Sequence, residues 1–242
     1  MEGSLRALAR AFGGGARALI EAALPVACAA CRARLTAAAD LPLCADCAAA
    51  AVEAGPAFCF PCARARREPA ACRRRDHARL RAGYTWNEPL RALVHAFKFG
   101  GAVELAGPLV DAALATEGYD GAVQPDAVVP APLHRVRRRE RGYDQAEALG
   151  RAFALRTGAP LARALVRTRA TRQQARLGAA ERAANLAGAF RVVAPAEVAG
   201  RRVALVDDVV TTGATAAAAA EALVAAGAGP IEIWCVAHEP LE

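Results

Sequence analysis

The segment VALVDDVVTTGAT, residues 203–215, constrains this chain more than any other. An apolar run, Arg202–Val206, reads as a buried strand and ends in two adjacent acids, Asp207 and Asp208. Thr211, Thr212, Gly213 and Thr215 follow, and a helix over Ala214–Ala226 starts at once. A loop that runs into a helix N-terminus offers unpaired backbone N–H groups and the positive end of the dipole. That arrangement seats a phosphate, and Gly213 lets the backbone approach it closely. Carboxylates repel a phosphate, so the acids need a different partner. They suit ribose hydroxyls, with a divalent cation neutralising the anionic side. Loop and acids together describe a ligand with a ribose and a 5′-phosphate. An ordinary strand-to-helix turn with capping residues gives no reason for the paired acids.

The rest of residues 83–242 alternates strand-like and helix-like segments, which predicts an α/β domain with a parallel sheet. Arg81–Trp86 reads as a strand. Asn87 caps a helix with Pro89 in its first turn, and Leu90, Leu93, Val94 and Phe97 form one apolar face. Gly100 and Gly101 end that helix, and another covers about 103–116. Ala127–Val129 is a short buried strand, Gln145–Arg156 a helix and Ile231–Val236 the last strand. Residues 168–188 lack clean periodicity and read as a long polar loop.

Seven of the eight cysteines fall between Cys28 and Cys72, and they define a separate module within residues 1–82. Cys28-x2-Cys31, twelve residues, then Cys44-x2-Cys47 is the spacing of a four-thiolate zinc site, with a redox dithiol as the rival reading. Cys59-x2-Cys62 and Cys72 would need a fourth ligand. His77 could complete a second site, or this half-site is degenerate, or its pairs interleave with the first set. Cys235, in the last strand, is expected in the core. Residues 17–30 are apolar and end in small residues, as an export signal does. Glu21 and Pro25 interrupt the run, so an amphipathic N-terminal helix is expected instead. No apolar run reaches the roughly 20 residues of a membrane span. Metal-binding thiols fit a reducing cytoplasm.

The net charge is +7, and Lys98 is the only lysine among 31 basic residues. Such a bias discounts Arg-rich stretches as evidence for a polyanion partner. Residues 64–81 nevertheless hold eight Arg against Glu68 and Asp76. They predict weak, sequence-independent contact with single-stranded DNA, with Tyr84 and Trp86 available for stacking or for core packing.

The strand–acid–acid–TTGAT–helix run resembles the phosphoribosyl-pyrophosphate (PRPP) motif of type I phosphoribosyltransferases. Three further segments, LRALVHAFKFGG (90–101), VVPAPLHRVRRRERGYDQA (128–146) and RTRATRQQARLGAAERAANLAGAF (167–190), extend the likeness. With the cysteine module in front, their order is similar to the ComF family of competence protein F and GntX-like proteins, over roughly residues 24–238. The resemblance implies a type I phosphoribosyltransferase fold behind a zinc module, PRPP and Mg²⁺ as ligands, and a role in DNA uptake. It implies that Asp207, Asp208, Val209, Thr211, Thr212, Gly213, Ala214 and Thr215 hold PRPP. Ala131, Pro132, Leu133 and His134 would meet the pyrophosphate. Arg141, Gly142, Tyr143, Asp144 and Gln145 match the RGxxQ-like run beside the site. Gln174, Leu177, Arg182 and Asn185 match a loop that covers PRPP, and Lys98 matches the lysine of an LKY-type segment. The family pattern has a further CxxC where this chain has Arg75.

A pyrophosphate leaving group gathers negative charge, so Lys98, Arg141 and Arg182 are the candidate catalytic cations. A surviving lysine in an Arg-biased chain suggests a task for a compact ammonium, against the alternative of a solvated helix end. His134 reads as a satisfied loop histidine or as a general base, and Arg135–Arg141 as a solvated helix face. Three functions stay open. These are a phosphoribosyltransferase acting on a nitrogen nucleophile, a non-catalytic nucleic-acid-binding protein regulated by PRPP, and a nucleobase salvage enzyme.

Overall fold

The computed structural model describes residues 27–35, 41–64, 78–169, 186 and 188–240. In chain order they form α1 (Ala45–Ala49), β1 (Phe58–Cys59), α2 (Phe60–Arg64), β2 (Arg79–Thr85), α3 (Glu88–Phe99) and α4 (Ala106–Leu114). Then come β3 (Ala127–Pro130), α5 (Arg135–Arg141), α6 (Gln145–Thr157), β4 (Leu165–Arg167), β5 (Phe190–Val192), β6 (Val203–Val210), α7 (Ala214–Ala225) and β7 (Ile231–His238). The main sheet has the order β1-β2-β7-β6-β3. All its pairs are parallel except the edge pair β1–β2. This is the α/β, mostly parallel architecture that the alternation predicts. The border expected between residues 82 and 83 falls within β2.

Alternation along the central strands divides the core into two layers. Val203 and Leu205 of β6, with Ile233 and Cys235 of β7, face α7 through Ala216, Ala219 and Leu223. Ala204 and Val206, with Trp234 and Val236, face α3, α4 and α6 through Leu93, Phe97, Leu109, Leu149 and Phe153. Helices on both faces explain why β6 and β7 read as unbroken apolar runs.

The predicted cap and face of α3 are both present. Asn87 Oδ1 accepts from Leu90 N, and Leu90, Leu93, Val94 and Phe97 are buried. The helix expected over 103–116 is a short 3-10 turn, Val103–Leu105, followed by α4. Gly83 explains part of that packing, because a Cβ there would lie 2.7 Å from the Ala113 backbone. The strand expected to end at Val206 runs on to Val210. The reason is its neighbour: β7 extends in step, pairing Asp207 with Cys235 and Val210 with His238. The long loop expected over 168–188 begins and ends in a hairpin, with β4 and β5 antiparallel in register Leu165↔Val192 and Arg167↔Phe190.

One buried ion pair staples the sheet. Arg81 is 4% exposed, meets Glu232 through Nε at 2.8 Å and Nη2 at 3.0 Å, and donates to the carbonyls of Gly118, Asp120 and Gly121. Removing one partner strands a buried charge. Glu232→Ala should therefore lower stability by about 3 kcal/mol, read from denaturant unfolding, whereas the exposed pair Arg91–Glu88 should be removable with little effect.

Candidate functional site

The site lies where β6 hands over to α7, at the C-terminal edge of the parallel strands, where open α/β sheets bind ligands. Gly213 has φ 69° and forms the N-cap of α7 without a side-chain cap. That left-handed conformation is the one glycine adopts at little cost, and it leaves the first-turn N–H groups without a side-chain acceptor. Val209, Thr211, Thr212, Gly213, Ala214 and Thr215 line one small concavity together with Asp207.

Because Asp207 and Asp208 lie inside β6, they project to opposite faces of the sheet. Asp208 meets α3: its Oδ1 is 2.9 Å from Lys98 Nζ and also accepts from Val209 N at 2.7 Å. Asp207 turns toward the other layer, beside Cys235, and its Oδ1 accepts from Asp208 N at 2.9 Å. Burial, and next the charge of Asp208, push the Asp207 carboxyl up to about 7, against the pull of Lys98.

The remaining segments converge on the same edge. Asp144 caps α6 by accepting from Glu147 N at 3.3 Å, and its other oxygen accepts from Leu133 N at 2.8 Å. One buried carboxylate thus fixes the Pro132–Leu133 loop to α6, and burial raises its pKa. Gln145, 1% exposed, accepts from Arg141 Nη1 at 2.8 Å and donates to the Lys98 carbonyl at 3.5 Å. Arg141 also lies over the Phe99 ring at 4.7 Å. Lys98, Arg141, Gln145 and Asp208 therefore form one connected network. His134 caps α5 as an acceptor from Val136 N at 3.3 Å, which matches the satisfied loop histidine. Tyr143 packs against Phe97, and burial pushes its phenol up to about 12. Gln174, Arg182 and Asn185 lie outside the described residues, as do Leu177, Cys72 and His77.

One site residue escaped the sequence reading. Arg167, at the end of β4, stacks over Phe190 at 5.5 Å and faces the charge of Asp207, while burial lowers its pKa. It stands forty positions from Asp207 in a chain full of arginine, and no local signal marks it.

A second centre lies in the cysteine module. The sulfurs of Cys28, Cys31, Cys44 and Cys47 all lie within 4.8 Å of one another, with Cys31 and Cys44 at 3.6 Å. Sulfurs on one tetrahedral zinc stand just under 4 Å apart, so the four cysteines are positioned to hold such a metal. Burial opposes ionisation of Cys28, but N–H groups of Cys31, Cys44 and Ala30 outweigh it and lower the thiol to about 6. Contact with Cys44, then Cys31, raises Cys47 to about 12. Cys59 ends β1 and Cys62 lies in α2, and neither joins a cluster among the described residues.

No family model matches the chain. Among curated proteins it is 33% identical to DNA utilization protein YhgH of Escherichia coli K12 over 210 residues, covering 81% of this chain and 84% of that one. The Salmonella typhi protein of the same name is 34% identical over 182 residues, covering 73% and 77%. Competence protein F of Haemophilus influenzae is 35% identical over 157 residues, covering 62% and 69%. This chain belongs to the ComF family. Among solved structures, the chain is similar in part to the glutamine PRPP amidotransferase from B. subtilis complexed with ADP and GMP. It is 21% identical with a TM-score of 0.36, and the match covers 67% of the ComF chain and 29% of that one. Among the described residues of this ComF protein, no helix is long and apolar enough to cross a membrane.

An acid with a folded-state value near 7 and an unfolded value near 4 binds an extra proton when folded between those values. The contribution of Asp207 to stability therefore falls as pH rises through that window. Asp207→Asn should be more stable than the parent at about pH 8, with the gap closing near pH 4, in denaturant melts at both values.

Proposed function

We propose that this chain binds PRPP and acts as a phosphoribosyltransferase-like protein in DNA utilization. The observation that carries the reading is the acid pair standing between an uncapped, glycine-opened helix N-terminus and the Lys98–Arg141 network. Thr211–Thr215 and the α7 N-terminus would take the 5′-phosphate, and Asp207 and Asp208 the ribose hydroxyls. Val209 would line the ribose side. Pro132 and Leu133 would face the pyrophosphate, with Lys98, Arg141 and Arg182 as the cations that meet its charge, and Gln174 and Asn185 as part of the cover. A Mg²⁺ ion would bridge ribose and pyrophosphate and neutralise the anionic side of the ligand. In a transferase, a nitrogen nucleophile would displace pyrophosphate from C1 of PRPP. Dry, fixed cations are the main aid a protein can give that step.

Replacing both acids, Asp207→Asn with Asp208→Asn, should weaken PRPP binding at least about tenfold, or about 1.4 kcal/mol. Titration calorimetry with Mg²⁺ reads the change, and an unchanged isotherm refutes the site. Wild-type affinity should also rise as pH is raised through about 7, where Asp207 ionises.

The chemistry of the four-cysteine cluster supports zinc, held by Cys28, Cys31, Cys44 and Cys47. Freshly purified, reduced protein should carry at least one zinc per chain by elemental analysis, and Cys44→Ser should lose it together with cooperative folding of the module. A content near two would bring in Cys59, Cys62, Cys72 and His77. Reduced thiols on zinc support a cytoplasmic location.

The exposed face of α5 favours a further reading, contact with single-stranded DNA. Arg135, Arg138 and Arg139 are exposed and line one groove beside Gly142, next to the loop assigned to the pyrophosphate. Arg73, Arg74 and Arg75, which the sequence also offers for this role, lie outside the described residues. Reversing Arg135, Arg138 and Arg139 to Glu should remove most oligonucleotide binding in fluorescence anisotropy and leave PRPP binding in place. The parent's affinity should fall steeply with salt. Equal binding by the triple variant would reduce α5 to a solvated surface.

A further inference from the structure

The sequence reading expects Lys98 at the pyrophosphate, yet its ammonium lies 2.9 Å from Asp208 Oδ1. Both side chains are largely buried, at 22% and 12% exposure. Lys98 sits in the last turn of α3, where the helix dipole favours a cation. Its main chain is tied down separately, because Gln145 Nε2 reaches its carbonyl and Gln145 itself receives Arg141. The backbone of residue 98 is therefore anchored, and only its four-carbon stem would have to turn to release Asp208. The ion pair also neutralises the carboxylate that a ribose would need.

Resting on the function proposed above, we propose that the Lys98–Asp208 ion pair is a built-in lock on the ligand site. In the free protein the ammonium satisfies Asp208. On binding, ribose hydroxyls take over the Asp208 oxygens and the released ammonium turns to the pyrophosphate. No covalent bond changes in this exchange. An ammonium suits it because it is a point charge with rotatable donors, whereas a guanidinium would hold the carboxylate by two parallel bonds and release it less readily. This accounts for the one lysine in a chain that otherwise uses arginine for every basic position.

The lock separates two ligands. Ribose 5-phosphate must break the ion pair and gives the ammonium nothing in return. PRPP breaks it and supplies the pyrophosphate. Lys98→Met keeps the stem and deletes the charge. It should tighten ribose 5-phosphate about fivefold, because a largely buried pair is worth somewhat more than an exposed one, and should weaken PRPP. A lysine that serves only the pyrophosphate would leave ribose 5-phosphate unchanged. Lys98→Arg should weaken both ligands.

A direct readout is available because the chain has one lysine. Reductive ¹³C-methylation labels Lys98 and the terminal amine and preserves their charge. The Lys98 resonance should shift in Asp208→Asn and move the same way when ribose 5-phosphate is added to the parent. A resonance identical in parent and Asp208→Asn overturns the lock, as does unchanged ribose 5-phosphate affinity in Lys98→Met of parent-like melting temperature. If the parent binds PRPP and either result is found, the lock alone fails. If the parent binds neither ligand, the PRPP reading fails and the exchange with it.

Discussion

Everything at the candidate site depends on β6 being hydrogen-bonded on both sides, to β3 and to β7, through parallel ladders. The β3 ladder ends at Val206, and the β7 ladder runs on to Val210 and holds Asp207 and Asp208 in extended backbone. Extended backbone then sends one carboxylate into each layer of the protein. Two adjacent acids in a mobile loop would share one solvent environment. Here one meets an ammonium, and the other sits beside a buried thiol with its proton affinity raised. The chemical difference between two identical side chains comes from the pleat.

Small polar staples also surround the end of β6. Asp144 joins the loop after β3 to the start of α6. Gln145, the next residue, joins Arg141 to the last turn of α3. Neither side chain needs to touch a ligand to matter. Each converts a loop that could wander into a fixed wall, and each does so from inside the core, where an unmade hydrogen bond is expensive.

Much of this was legible in the sequence, and the reason differs from part to part. The α3 face was readable because Leu90, Leu93, Val94 and Phe97 repeat with the helical period and Asn87 marks the start. The glycine-opened turn into α7 was readable because its residues are contiguous. The four cysteines were readable because metal spacing is a local code. By contrast, the continuation of β6 to Val210 was set by the length of its partner β7, which no window of β6 contains. The Lys98–Asp208 contact and the approach of Arg167 to Asp207 join residues far apart in the chain. Composition hid Arg167 among thirty equivalents, whereas the solitary lysine stood out.

The cysteine module is built into the larger domain. Cys28 and Leu43 are buried in the same layer as Leu90, Leu93 and Phe97 of α3. Asn87, the cap of that helix, also donates to the carbonyl of Ala50 at 2.8 Å. α3 is therefore a tie rod. The cysteine module bears on its start through Ala50, and Lys98 sits in its last turn, eleven residues or roughly 16 Å from Asn87 at 1.5 Å per residue. The cysteine module and the ammonium therefore stand at opposite ends of one packed helix, and any strain passed between them has to travel along it.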